Sequence, residues 1–268
     1  MINTMSEEMC RDKNIHIEIP EKAEMILSTL HQAGYEAYVV GGCVRDSILQ
    51  RIPGDWDITT DAKPMEIKRL FRRTVDTGIE HGTVTVMLGK EGFEVTTYRI
   101  DGEYADGRHP KDVTFTVNLR EDLRRRDFTI NAMAYNAQEG LIDIFGGLQD
   151  IENGMIRCVG NPQERFGEDA LRIMRAVRFS AQLDYQIETQ TKKAIIALSH
   201  TLSRISAERI QTELVKLLCA EYPGRIRDAW KMGILQVILP ELDRCMQRAE
   251  LWYMTDAEQL RNSFLQIV

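Results

Sequence analysis

Two aspartates one residue apart, Asp55-Trp56-Asp57, lead directly into the β-branched run Ile58-Thr59-Thr60. In extended backbone, residues two apart share a side, so both carboxylates address one point while Trp56 is directed into the core. Like charges held roughly 5 to 7 Å apart by that geometry repel one another unless a cation lies between them. Hard oxygen donors of this kind favour Mg²⁺. A solvated strand edge is the competing explanation, and a third carboxylate would count against it. Glu94 lies in a β-rich run between Phe93 and Val95 and must face away from their core; an exposed strand glutamate would have the same pattern.

Upstream, Tyr38 to Val40 is followed by Gly41-Gly42 and a helical stretch carrying Arg45. Glycines at a strand end let a ligand approach the backbone, and the N–H groups that open the following helix favour an anion. Arg45, one turn in, could add a charge-assisted contact to a phosphate. Taken alone, such a turn is more often purely structural, since neither GK[ST] nor G-x-G-x-x-G is present.

Further on, LRRRDFTINAMA places Arg124, Arg125 and Arg126 ahead of an apolar segment. This suggests Arg126-Asp127 as a charged pair at a cleft rim, with a surface salt bridge as the alternative. The run Glu168 to Arg178 reads as one helix whose Asp169, Arg172, Arg175 and, more obliquely, Arg178 follow at steps of three. An Asp accepts hydrogen bonds and an Arg donates several, so such a pair can match the edge of a nucleobase. Solvent-exposed helical salt bridging is the alternative.

The elements that must position these residues change character near residue 160. Before it, the β-rich runs Tyr38 to Val40, Thr83 to Leu88, Phe93 to Tyr98, Val113 to Val117 and Leu141 to Phe145 alternate with short helices, which reads as a mixed sheet with helices. After Asn161-Pro162, apolar residues recur at helical steps: Leu171, Met174 and Val177, then Ile210, Leu214, Leu217 and Leu218. Ser206 is the expected N-cap of the later helix, with Pro223 ending it. Asp101 to Pro110, with two glycines and a proline, is expected to be a mobile loop in which Asp106 and Arg108 could organise a substrate.

The 268 residues are 43% hydrophobic and 28% charged, which suits a soluble globular chain and excludes a disordered or collagen-like one. Lys and Arg total 34 against 41 Asp and Glu, a net charge of −7, which argues against a basic nucleic-acid coat but not against local phosphate binding by arginines. Five cysteines in no C-x-x-C pair suggest neither a disulfide framework nor a zinc knuckle, and point to a reducing cytoplasm. No stretch approaches the roughly 20 apolar residues of a membrane span, and the polar N-terminus does not read as a signal peptide.

In one order, GGxVRD, the D-x-D, RRDFTINAMA, ERFGEDALRIMRAVRF and Ser206-Ala207-Glu208-Arg209-Ile210 resemble the class II, polymerase-beta-like nucleotidyltransferases. These are the CCA-adding tRNA nucleotidyltransferases and bacterial poly(A) polymerases, and the likeness spans about residues 36 to 242. The resemblance implies an α+β fold, with a nucleotidyltransferase head over 15–160 and an all-α neck and partial body over 161–268. It implies that Gly42 and Arg45 bind triphosphate, that Asp55 and Asp57 are metal ligands, and that Glu94 is the third carboxylate. Arg126 with Asp127 would contact nucleotide and ribose, Asp169 and Arg172 would read the incoming base, and Arg175 and Arg178 would be further nucleotide-binding arginines. The helix from Ser206 to Glu213 would brace the reader helix.

The implied activity is template-independent, Mg²⁺-dependent addition of CTP- and ATP-derived nucleotides to the tRNA 3' end in the cytoplasm. Poly(A) or A-only addition is the nearest alternative, and the DGEYADGRHP loop favours full CCA addition over CC addition. A metal-dependent glycosyltransferase would share the D-x-D but not RRDFTINAMA or EDALRIMR, and a non-catalytic nucleotide- or RNA-binding relative is the more distant reading. Asp243 to Val268 matches none of the family's tRNA-holding segments. The expectation is therefore that nucleotide binding is retained better than RNA affinity; ordinary tRNA affinity in a filter-binding assay would contradict it.

Overall fold

The computed structural model describes residues 11–102 and 113–252, with the side chains of 249–252 excepted. The chain forms two compact units, 1–161 and 162–268. Asp106 and Arg108 lie outside the described residues.

The first unit is built on an eight-stranded sheet. In chain order its elements are β1 (Arg11–Asp12), α1 (Glu21–Gln32), β2 (Ala37–Val40), α2 (Gly42–Ile48), β3 (Ile58–Thr60), α3 (Pro64–Leu70), β4 (Thr74–Gly78), β5 (Thr83–Leu88) and β6 (Glu91–Thr97). They continue with β7 (Arg99–Asp101), β8 (Val113–Phe115), α4 (Leu119–Arg124), β9 (Met133–Asn136), β10 (Gly140–Asp143) and α5 (Gly147–Glu152). The sheet order is β1-β10-β9-β2-β3-β6-β5-β4, while β7 and β8 pair separately. Every sheet neighbour is antiparallel except β3 and β6, which run parallel with Ile58 opposite Val95.

β2 is central and buried along its whole length, which is why its sequence, Ala-Tyr-Val-Val, is apolar rather than alternating. One core cluster gathers Tyr38, Val40, Tyr98, Leu123, Ala134 and Ile142. Helix α1 packs against β2 and β3 through an apolar face that includes Ile26, Leu27 and Leu30. Asp143 accepts the Gly147 and Leu148 N–H groups, both at 2.8 Å, and so fixes the start of α5. There the backbone comes so close that a Cβ on Gly147 would collide with the Thr129 carbonyl oxygen. Asp150 then takes the Thr129 hydroxyl at 2.7 Å. These contacts pin the turn at Thr129–Asn131, which reaches the site described below.

The second unit is helical, apart from an extended pair at Gln186–Ile187. Its helices are α6 (Pro162–Glu168), α7 (Leu171–Leu183), α8 (Thr189–Leu198), α9 (Ala207–Leu218), α10 (Ile226–Lys231), α11 (Ile234–Ile238) and α12 (Pro240–Trp252). Leu171, Met174 and Val177 are buried, as their spacing requires. On α9 the pattern is weaker: Leu217 is buried, Ile210 and Leu214 are half-buried, and Leu218 is exposed.

Two capping expectations fail. Ser206 occupies the N-cap of α9, but its hydroxyl makes no capping bond. The helix ends at Leu218, before Pro223, which instead opens a short 3₁₀ turn at Pro223–Arg225.

Within this unit α7 and α9 are joined by a buried ion pair, Arg178 Nε donating to Glu213 Oε2 at 2.6 Å. Removing one partner of such a pair leaves the other charge stranded in the interior. Glu213→Ala should therefore cost about 3–5 kcal/mol in urea unfolding. Adding Arg178→Met should recover most of that loss; strictly additive losses would show that the pair is not coupled.

Candidate active site

The first unit gathers its charged residues where β2 and β3 meet their neighbouring loops. β2 ends at Gly41, whose φ of 83° is unfavourable for any side chain. A Cβ there would also lie 3.1 Å from Arg126 Nη1, so the guanidinium rests directly on the glycine turn. Gly42 begins α2, and Arg45 follows in its first turn, 7% exposed. Arg45 Nη1 donates to Asn131 Oδ1 at 2.6 Å, while Nε and Nη2 hold Asp46 at 2.9 and 3.0 Å. Asn131 in turn donates to Asp127 Oδ1 at 3.2 Å, and that oxygen also takes the Phe128 N–H at 2.8 Å. Arg45 is thus held in one orientation beside the turn.

Sheet register brings two of the three acidic residues, Asp57 and Glu94, to neighbouring positions, with Asp55 two residues before Asp57. Ile58 of β3 lies opposite Val95 of β6, and one step back along each strand stand Asp57 and Glu94. Phe93 and Val95 are buried while Glu94 is exposed, which puts the glutamate on the side away from the core. Asp55 and Asp57 are exposed to solvent but lie just ahead of β3, and Trp56 is half-buried rather than in the core. The reason is local: the chain becomes extended sheet only at Ile58, so the strict alternation assumed for 55–57 does not apply there.

Among the described residues, the Asp55, Asp57 and Glu94 carboxyls form no hydrogen bond or ion pair. Desolvation raises the pKa of Asp57, with Asp55 adding to the rise and Arg126 opposing it. Glu94 is raised by desolvation and then by the charges of Asp57 and Asp55. Two open, hard carboxylates with no hydrogen-bonded or ion-paired partner among the described residues fit Mg²⁺, which is commonly held by one or two carboxylates and otherwise by water and phosphate. No three His, Cys, Asp or Glu side chains among the described residues are grouped to hold a metal ion.

Arg126 does not pair with its neighbour Asp127. Its carboxylate partner is Asp122, one turn upstream, at 3.4 Å from Nη2. Consecutive residues at the end of α4 diverge, whereas the i, i+4 pair shares a face. The Nε of Arg126 is buried without a partner. Of the three arginines in the run, Arg124 is exposed and the other two are half-buried.

In the second unit, the expected single helix from Glu168 to Arg178 is broken. α6 ends at Glu168 and α7 begins at Leu171. Asp169 sits in the break because its Oδ1 accepts the Leu171 N–H at 2.9 Å, the local bond by which short acidic side chains end one helix and start another. Its Oδ2 takes Arg209 Nη2 of α9 at 2.9 Å. Arg172 donates to Glu168 Oε2 at 2.8 Å and to the Arg165 carbonyl at 3.2 Å. Arg178, bound to Glu213, lies 4.0 Å from the Phe179 ring centroid, and Arg175 lies 5.3 Å from it.

Residues 37–157 match the model described as the poly A polymerase head domain, and residues 184–246 match that described as the probable RNA and SrmB-binding site of polymerase A. Relatives called CCA-adding enzyme accompany both matches. The enzyme of Lactiplantibacillus plantarum is 53% identical over 203 residues, covering 76% of this chain and 50% of that protein. The one of Ligilactobacillus salivarius is 53% identical over 222 residues, covering 83% and 53%. The chain belongs to the poly(A) polymerase and CCA-adding nucleotidyltransferase family.

It spans about half the length of the curated relatives it matches. Among solved structures of this family, the Bacillus stearothermophilus CCA-adding enzyme in complex with CTP is 41% identical with a TM-score of 0.75, over 81% of this chain and 53% of that one. The Thermotoga maritima CCA-adding enzyme complexed with tRNA is 27% identical with a TM-score of 0.68, over 88% and 59%. No helix among the described residues is long and apolar enough to cross a membrane.

The partners overlooked in the sequence are Asp122 and Asn131, each four residues from a charged residue already singled out; that spacing was the available signal. Arg209 and Glu213 lie on the helix expected to brace α7, and their bonds to Asp169 and Arg178 join the two.

The carboxylate cluster also has a thermodynamic signature. A folded-state pKa above the unfolded value means that stability is fully present below the unfolded carboxylate pKa and is lost as pH rises through the folded value. At pH 7 the metal-free cluster therefore works against folding. Asp57→Asn should raise the melting temperature of the metal-free chain by roughly 1–2 °C at pH 7, allowing for solvent exposure, and should leave it unchanged near pH 3. Mg²⁺ should raise the wild-type value and not that of the variant; an equal Mg²⁺ response in both would remove Asp57 from the metal site.

Proposed function

We propose that this chain is the nucleotide-adding portion of a cytoplasmic tRNA nucleotidyltransferase that builds CCA at RNA 3' ends from CTP and ATP without a nucleic-acid template. The observation that supports it most directly is the cluster of Asp55, Asp57 and Glu94 beside Gly41, Arg45 and Arg126 in a chain whose relatives are CCA-adding enzymes. Names of related structures that include CTP, ATP and tRNA agree with the substrates.

In this reading the reaction is phosphoryl transfer. The 3'-oxygen of the RNA bonds to the α-phosphorus as the α–β bridging oxygen leaves with pyrophosphate, and no protein nucleophile is needed. Mg²⁺ held by Asp55 and Asp57 would lower the pKa of the 3'-hydroxyl and neutralise charge on the departing pyrophosphate. The Gly41-Gly42 turn admits the triphosphate to the backbone, Arg45 offers it a fixed guanidinium, and Arg126, with Asp127, meets the sugar and phosphates. Glu94 adds negative potential that favours a divalent cation over a monovalent one.

Asp169 and Arg172 are the proposed readers of the base, with Arg175 supplying further positive charge. Arg178, bound to Glu213 and stacked on Phe179, acts on the nucleotide by holding α7 in place. A wrong base would leave buried donors or acceptors unpaired, at about 1–3 kcal/mol for each. Uracil and guanine offer the wrong pattern to an Asp/Arg pair.

The deciding experiment supplies Mg²⁺, labelled CTP or ATP, and tRNAs ending before C, after CC and after CCA. Addition that completes CCA and then stops is the expected result. Long A tails on any RNA would instead assign poly(A) addition, the reading that the description of the matched head domain favours. Asp55→Ala should abolish incorporation with nucleotide binding largely kept, and wild-type turnover would refute the metal assignment. Asp169→Ala should raise misincorporation of UTP or GTP about tenfold while leaving metal binding intact, the factor that one lost base contact is worth; unchanged selectivity would remove the reader role.

A further inference from the structure

Asp122 is fully buried on α4, and no step of the nucleotide chemistry uses it. Its Oδ2 accepts the Thr59 hydroxyl at 3.1 Å and Arg126 Nη2 at 3.4 Å. Its Oδ1 accepts Arg125 Nε at 2.9 Å and the Arg99 N–H at 3.4 Å. One carboxylate therefore ties together β3, the end of α4 and the start of β7. Thr59 lies two residues beyond Asp57, so the anchor stands directly behind the acidic cluster.

The guanidinium of Arg126 has two acidic neighbours. Buried Asp122 holds it directly, and its charge is also felt by solvent-exposed Asp57. Its hold on Asp122 is a single long bond, its Nη1 rests on the Gly41 turn, and its Nε has no partner. A side chain this long, released from one carboxylate, finds the other, and an Arg–carboxylate pair at Asp57 competes directly with a divalent cation.

We propose that Asp122 is a positioning residue that restrains Arg126 from closing onto Asp55 and Asp57, keeping the two aspartates open to a metal ion and the guanidinium open to the nucleotide. The proposal rests on the reading of Asp55 and Asp57 as metal ligands. Asp122 touches neither metal nor substrate; it acts through where it leaves Arg126.

The test titrates the full chain with Mn²⁺ alone, counting free ion by electron paramagnetic resonance, with Asp55→Asn/Asp57→Asn as background and circular dichroism as the check on folding. Asp122→Asn should weaken Mn²⁺ binding about tenfold, and Arg126→Gln alone should change it by less than about threefold, because in wild type the guanidinium is already restrained. In the Asp122→Asn/Arg126→Gln chain, binding should return to within about twofold of Arg126→Gln alone. A merely structural loss would not be rescued by a second substitution.

Wild-type affinity in Asp122→Asn, or a double variant as weak as Asp122→Asn, would overturn the proposal while leaving the metal site standing. Should Asp122→Asn not fold, Arg126→Gln decides alone: tightening of about tenfold or more would show that Arg126 already occupies the aspartates, and a change within about threefold supports the restraint. Wild-type binding no tighter than background would remove the metal site and the proposal with it.

Discussion

The parallel pairing of β3 with β6 is the constraint on which the first unit's chemistry depends. In an otherwise antiparallel sheet, this one junction sets Ile58 against Val95 and so brings Asp57 and Glu94 to neighbouring positions at one end. Desolvation first, and then the like charges gathered there, raise the pKa of both residues. The fold tolerates the repulsion because Phe93, Val95 and Ile58 bury their side chains on the opposite face and fix the register. A one-residue slip would send those apolar groups into water and the acids into the core.

Within each unit the arginines are held by partners of their own. Arg45 is gripped by Asp46 and Asn131, and Arg126 by Asp122; in the second unit Arg172 is held by Glu168 and Arg178 by Glu213. Fixing a guanidinium before a ligand arrives removes side-chain entropy that binding would otherwise have to overcome. The carboxyls of Asp55, Asp57 and Glu94 show the reverse arrangement, without a hydrogen bond or ion pair among the described residues.

Much of this was legible in the sequence because it depends on period and order. β5 at Thr83–Leu88, β3 at Ile58–Thr60 and the buried Leu171, Met174 and Val177 follow from alternation or helical spacing. The outward face of Glu94 was legible from its apolar neighbours alone. Features set by competition between equally reasonable partners were not. Asp127 is the nearest acid to Arg126 along the chain, but the helical turn favours Asp122. Asp169 fits a continuous helix by spacing, but its carboxyl captures the Leu171 N–H and the helix restarts. Trp56 fits an inward strand position, but the strand has not yet begun, and Ser206 stands at the start of α9 without its hydroxyl reaching a backbone N–H.

The ion pairs linking α7 to α9, Asp169 with Arg209 and Arg178 with Glu213, make the two helices a single inherited object. Transplanting α7 alone into another scaffold would carry an unbalanced guanidinium into the new interior and free the carboxylate of Asp169 to find another donor. Change in either helix is therefore constrained to proceed by matched substitutions on both, so the record of divergence should lie as much in α9 as in α7.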